Sequence, residues 1–192
     1  MKGYLLPPVI IIVFFAACTG KNNKGNTAGD NDTLHYFQTT TFIKKDIAEV
    51  NKTPFYIYKL ETVNGKKDSV QINTAEFNQL TSKFLHPDIT EKALKPLYKE
   101  AIFEDQSTES FAINYTAKDK NLEIQSVNIL LKEDGKTVKN IFIRKYFTYP
   151  DSSVIEQLSW KPEHSFQINK SVNVSNKSKS TYQAKVVWND VE

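Results

Sequence analysis

Between Phe111 and Trp188 the chain is divided into short runs with apolar residues at alternate positions, and each run ends at a tight turn signal. Phe111, Ile113 and Tyr115 share one phase, and Val154, Glu156, Leu158 and Trp160 share another. Phe166, Ile168, Val172 and Val174 follow, then Tyr182, Ala184, Val186 and Trp188. Successive side chains on a strand point to opposite faces, so such runs are strands with one face to bury. Asp134-Gly135, Pro150-Asp151-Ser152 and Lys161-Pro162-Glu163 turn the chain, and Asn176 to Lys179 is a polar loop. Links this short exclude parallel neighbours, which need a crossover of about a dozen residues or more. The pattern therefore predicts an antiparallel meander.

Two irregularities are visible inside it. Leu122 and Ile124 hold one phase while Val127, Ile129 and Leu131 hold the other, so a β-bulge or a fully buried strand is expected near Gln125-Ser126. Residues 137–149 read as one long strand with Ile141, Ile143, Phe147 and Tyr149 on one face and Val138, Phe142 and Tyr146 on the other. Ahead of the meander, Ile43, Ile47 and Val50 form a helical stripe within Thr40 to Asn51, with Thr39-Thr40-Thr41 as a candidate cap or, being β-branched, equally the end of a strand. Phe55 to Thr62 and Ser69 to Ile72 flank Asn64-Gly65, a type I′ hairpin signal. Asn73 stands three residues before Glu76, a variant capping box, with Phe77, Leu80 and Phe84 as the stripe of a helix over 74–85. Asp88 and Glu91 repeat that spacing, predicting a second helix from Ile89 with Ala93, Leu94 and Leu97 in the core and Pro96 shortening it. The expected fold class is α+β: an antiparallel β-meander sheet of about 6–8 strands packed with two or three helices, in a single domain over 33–192.

The N-terminus carries a different signal. Lys2 precedes an unbroken apolar run from Leu5 to Ala17, which ends at Cys18, the only cysteine of the chain. The run is too short for an ordinary membrane helix of about 20 residues, and Pro7-Pro8 spoil its start. A charged start, an apolar centre and a small-residue exit fit a secretory signal. Phe15-Ala16-Ala17-Cys18 resembles the lipobox of bacterial, Gram-negative lipoproteins. That resemblance implies a signal peptide over 1–17 and a lipidated Cys18 as the first mature residue. It implies attachment to the membrane through an N-terminal lipid, where two or more acyl chains hold a protein stably and one does not. Thr19 stands where Asp would imply inner-membrane retention in lipoproteins of the enteric type, and residues 19–24 lack an acidic export cluster. The expected location is the outer membrane, on the periplasmic face. Residues 18–32 form the lipidated cysteine and a flexible tether, which spans roughly 20 Å as a coil.

Composition narrows the function classes. Lys plus Arg total 25 against 22 acidic residues, and Arg144 is the only arginine, so a nucleic-acid partner is not expected. With one cysteine no internal disulfide can form. His35, His86 and His164 are far apart and lack metal-ligand spacing. No nucleophile elbow or glycine-rich phosphate loop occurs, so no catalytic, cofactor-binding or metal residues are assigned. Glu104, Asp105 and Glu109, expected between the second helix and the first strand of the meander, form a carboxylate cluster that suits a solvated loop better than a cation site. Aromatic residues crowd several strands: Phe55, Tyr56 and Tyr58; Tyr146, Phe147 and Tyr149; Trp160 and Trp188. Core packing explains them, with an apolar ligand face as the alternative.

Residues 98–106, with Val138-Lys139-Asn140-Ile141, Leu158-Ser159-Trp160-Lys161 and Val186-Val187-Trp188-Asn189, resemble uncharacterised small envelope lipoproteins of Gram-negative bacteria. The resemblance transfers no active site. The expected function is that of a lipid-anchored, non-enzymatic envelope protein that binds a protein or peptide. The alternatives are a periplasmic carrier of lipid or lipoprotein, which requires an enclosed apolar cavity, and a hydrolase with dispersed catalytic residues.

Overall fold

The alternating runs become nine strands of a single antiparallel sheet in the computed structural model, which describes residues 36–105 and 110–189. Helix α1 (Thr39–Lys52) leads into strands β1 (Tyr58–Val63) and β2 (Lys66–Gln71). Helix α2 (Thr74–Thr81) continues into a 3-10 turn at Ser82–Phe84. The other strands are β3 (Tyr98–Asp105), β4 (Ser110–Ala117), β5 (Ile124–Leu131), β6 (Val138–Thr148), β7 (Ser152–Lys161), β8 (Ser165–Val174) and β9 (Ser180–Val187). Across the sheet they run β2-β1-β9-β8-β7-β6-β5-β4-β3. From β3 to β9 this is a meander in chain order, as the short links require. The signal segment 1–17, Cys18, the tether and His35 lie outside the described residues.

The fold class is α+β, but the sheet has nine strands, more than the expected six to eight. The added strand is β3. Its sequence, with Ile102 and Phe103 adjacent between Ala101 and Glu104, does not alternate, because an edge strand with little covering it has no single face to bury. The expected helix from Ile89 is absent. Residues 88–94 form successive turns, with a 3-10 turn at Lys95–Leu97. Asp88 accepts from the backbone N–H of Thr90 at 2.9 Å and from its hydroxyl at 2.8 Å, an Asx turn that competes with helix initiation. Pro96 removes a backbone donor a few residues later. Ile89 is buried and Leu94 packs against the core, whereas Ala93 and Leu97 are exposed.

Local chemistry explains the other elements. In α1 the stripe Ile43, Ile47 and Val50 is buried as its spacing requires. Thr39 and Thr40 do not cap the helix; they lie in its buried first turn behind Gln38, which makes no side-chain cap bond. In α2 the Asn73 side chain accepts from the Glu76 N–H at 2.9 Å. The Glu76 carboxylate turns instead to Lys59, 2.8 Å away, so only half of the capping box forms. Asn64 and Gly65 take φ of +48° and +87°, as a type I′ turn demands. Asn64 also anchors the hairpin to β9: its N–H donates to the Thr181 carbonyl at 3.0 Å, and its Oδ1 accepts from the Thr181 N–H at 2.9 Å. At Asp134-Gly135 the Asp134 carboxylate accepts from the N–H groups of Lys136 and Thr137 and from the Thr137 hydroxyl, which holds it down at about 2.

Both irregularities of the meander are bulges. The β5–β6 register shifts between Ile124 and Ser126, where the phase change falls, so Ile124 and Val127 are both buried. It shifts again between Leu130 and Leu131, which corrects the expected facing of Val138. That residue is buried with Ile141 because one extra residue separates them in the ladder.

α1 and α2 pack on one face of the sheet. There Phe77, Phe84, Trp160, Phe166 and Trp188 form an aromatic plug, with Trp160 stacked on Phe166 at 5.4 Å and 10° and Phe84 edge-on to Trp160 at 5.1 Å. The Trp160 indole N–H donates to Asp46 of α1 at 2.7 Å, and the same carboxylate oxygen accepts the Glu163 N–H at 3.0 Å. Burial pushes the Asp46 pKa up, against both hydrogen bonds. A raised carboxylate favours the folded state most below its unfolded pKa, and that contribution is lost as pH rises through the folded value. Asp46→Asn, which keeps an acceptor oxygen, should therefore gain melting temperature relative to the parent as pH rises from below the ordinary aspartate range. Asp46→Ala strands a buried indole N–H and should cost roughly 1–3 kcal/mol in urea unfolding. An Asp46→Asn difference that runs the other way with pH rules out burial as the dominant influence.

Candidate functional site

With the helices covering one face, the opposite face and the two edge strands remain for recognition. Cross-strand register sets two rows on the open face, since directly opposed residues project to the same side. One row is Thr116, Ser126, Arg144, Gln157, Asn169 and Gln183, on β4 to β9 in turn. The next is Asn114, Asn128, Phe142, Ser159, Gln167 and Lys185 on the same strands. At about 4.8 Å per strand each row spans roughly 24 Å. Hydroxyl and amide side chains dominate both.

Open depressions among the described residues border these rows. One of about 510 Å³ is lined by Asn128, Phe142, Arg144, Gln157 and Asn169 among others. A second, of about 620 Å³, lies on the other side of Arg144 beside Lys120, Gln125 and Tyr146. No carboxylate lines either. Two more, of about 250 and 700 Å³, lie toward β1 and β9, and the larger includes Glu61 and Asp68. The Gln167 amide donates to Asn169 Oδ1 at 3.0 Å. The side chains of Asn128, Arg144, Gln157 and Gln183 make no hydrogen bond or ion pair among the described residues.

The two edges differ. β2 is short, wholly exposed and begins Lys66-Lys67-Asp68, a charged edge that resists pairing. β3 is eight residues long and pairs only with β4. Its Ile102 is 65% exposed and Phe103 57%, and they project to opposite faces.

The covered face also holds charge where the aromatic plug ends. Lys145 and Glu156 are register partners and both buried. Lys145 pairs with Glu123 at 3.0 Å and donates to the His86 carbonyl, while Glu156 pairs with Lys83 at 2.8 Å. Near the start of the described chain, Tyr36 stacks on Tyr115 at 4.5 Å, and the Tyr115 hydroxyl accepts the Phe37 N–H and donates to Glu100 at 2.9 Å. Burial raises the Tyr115 hydroxyl's pKa, and raises that of Tyr98 to about 12. Every one of these groups is satisfied within the fold, which marks them as structural.

The residues singled out in the sequence are not brought together. Glu104 and Asp105 lie on β3, not in a loop, opposite Phe111 and Ser110; Glu109 lies outside the described residues. Among the described residues no three His, Cys, Asp or Glu side chains gather as a metal site. His86 is exposed before a cis-bonded Pro87, and His164 sits in the turn between β7 and β8. Trp160 and Trp188 are core residues, whereas Tyr56, Tyr146 and Tyr149 are exposed. Among the described residues no helix is long and apolar enough to cross a membrane. The polar rows escaped sequence reasoning because the residues of a row are scattered over β4 to β9 and only register aligns them. No family model, curated protein or solved structure matches the chain.

The buried charges generate a stability prediction. Lys145→Ala removes the partner of Glu123, the donor to the His86 carbonyl and the cation opposite Glu156, so it should cost roughly 3 kcal/mol. Lys83→Ala, at a side chain more than a third exposed, should cost less. Urea unfolding of both variants checks the order; equal losses contradict it.

Proposed function

We propose that this chain is a lipid-anchored cell-envelope protein whose body is a non-enzymatic module for a protein or peptide partner. Cys18, acylated at the new N-terminus, holds it at the outer membrane, and the tether lets the body reach into the periplasm. The observation that carries the binding role is the β3 edge. Beyond Tyr98, whose carbonyl accepts the Tyr36 hydroxyl, its unpaired side offers the backbone N–H and C=O groups of alternate residues, and Ile102 and Phe103 supply apolar contacts on both faces. An extended segment of a partner adds there as a tenth strand, with backbone bonds for affinity and alternate side chains for selection. The contrast with the charged β2 edge supports this, because an apolar edge left open is an aggregation liability unless something pairs with it. The carrier alternative needs an enclosed apolar space between helices and sheet, and the aromatic plug occupies the part of that space under α2.

Two measurements test the proposal. Cys18→Ser should abolish palmitate labelling and move the chain from the membrane fraction to the soluble fraction of lysed cells. A photocrosslinking residue at 102 should give a discrete adduct in intact cells, lost with Phe103→Glu and unaffected by Val70→Glu on β2. Retention of Cys18→Ser in the membrane overturns the anchor. Equal adducts from positions 70 and 102, or none, overturn the edge.

A further inference from the structure

We propose that the open face of the sheet binds an acidic carbohydrate chain, with Arg144 on a sugar carboxylate, Phe142 and Tyr146 against sugar rings, and the amide rows on hydroxyls. The site uses neither the β3 edge nor Cys18, so it stands or falls apart from the function proposed above.

The interior strands have both backbone edges paired, so whatever sits on this face is recognised by side chains alone. Those side chains carry amides and hydroxyls, which both donate and accept, as sugar hydroxyls do. Asn128, Gln157 and Gln183 spend none of this capacity on the fold, and they lie on alternate strands, β5, β7 and β9. Phe142, Arg144 and Tyr146 alternate along β6, so all three project from the same face. Phe142 is 40% exposed and Tyr146 36%. A large apolar ring left half in water on each side of an unpaired guanidinium offers stacking surface for the flat C–H face of a pyranose.

Charge selects among the remaining ligands. Arg144 is the only arginine of the chain, is exposed, and has no carboxylate partner. A guanidinium presents a planar fork that fits a carboxylate with two parallel hydrogen bonds. Lys120 and Lys185 lie on opposite sides of Arg144, Lys99 and Lys67 continue its row at the two far ends, and no carboxylate lines the two depressions around Arg144. Nucleic acids and anionic membranes require clusters of cations. Widely spaced cations in a field of amides suit a polymer with sparse negative charge among many hydroxyls. The rows, roughly 24 Å long and open, accept a chain and not just one sugar.

The test uses the full chain in detergent micelles and calorimetric titration with oligomers of galacturonate, alginate and hyaluronan. Dextran serves as the neutral control, free galacturonate as the monomer, and oligoglutamate as an acidic peptide. The expected result is saturable binding to at least one acidic oligosaccharide, tighter than to its monomer and tighter than to dextran. Arg144→Gln should weaken it about tenfold with an unchanged melting temperature, because the side chain is exposed and unbonded in the fold. Phe142→Ala and Tyr146→Ala should each weaken it several-fold, while Lys136→Gln, in the β5–β6 turn, leaves it unchanged. No binding to any of the three oligosaccharides overturns the proposal. So does a Lys136→Gln loss equal to that of Arg144→Gln, equal affinity for dextran, or tighter binding of oligoglutamate.

Discussion

A linear sheet of nine strands cannot close on itself, so one face must find cover, and here that cover depends on Trp160. Two helices, one of them only eight residues long, are little to lay across such a sheet. The deficit is made up by rings: Phe77 and Phe84 come down from the helical segment onto Trp160 of β7, Phe166 of β8 and Trp188 just past β9. Such side chains bury the most area per residue, and the indole N–H adds a directional bond to Asp46 that sets α1 against the sheet. The half-buried carboxylate is accepted at the cost of part of its solvation.

Covering one face so economically leaves the other face and both edges in water. The chain treats these surfaces differently. One edge carries lysines; the other carries Ile102 and Phe103. The open face is given over to amides and hydroxyls with a single guanidinium at its centre. None of these exposed features is needed to stabilise the fold, since the core and the buried ion pairs are complete without them. Selection on them is then free to follow binding, which is where the proposed functions place it.

Much of the fold was legible where local chemistry decides structure. Asn73 caps α2, Asn64-Gly65 makes the primed turn, and the phase change at Gln125-Ser126 is a bulge, because each depends on neighbours close in the chain. Reading failed where distant contacts intervene. β3 lacks alternation because it is an edge. Val138 changes face through a bulge that leaves no composition signal. Residues 88–94 have a helix-like pattern, but the Asp88 Asx turn and Pro96 stop a helix from forming. Lys145 and Glu156 occupy core phases, and nothing local says that Lys83 and Glu123 will neutralise them.

From residue order alone come the antiparallel meander, the α+β class, the hairpins and the helix stripes, together with the expectation of an acylated Cys18. All of them rest on periodicity, turn chemistry or short motifs that act within a few residues. Three-dimensional packing alone placed the β1–β2 hairpin beside β9, through Asn64 and Thr181, far apart in the chain. It alone aligned Arg144 with Gln157, Asn169 and the other members of the row, and it alone left β3 unpaired on one side. The reason is physical: strand neighbours are chosen by which apolar faces can be hidden together, a property of the whole sheet that no short window of residues contains.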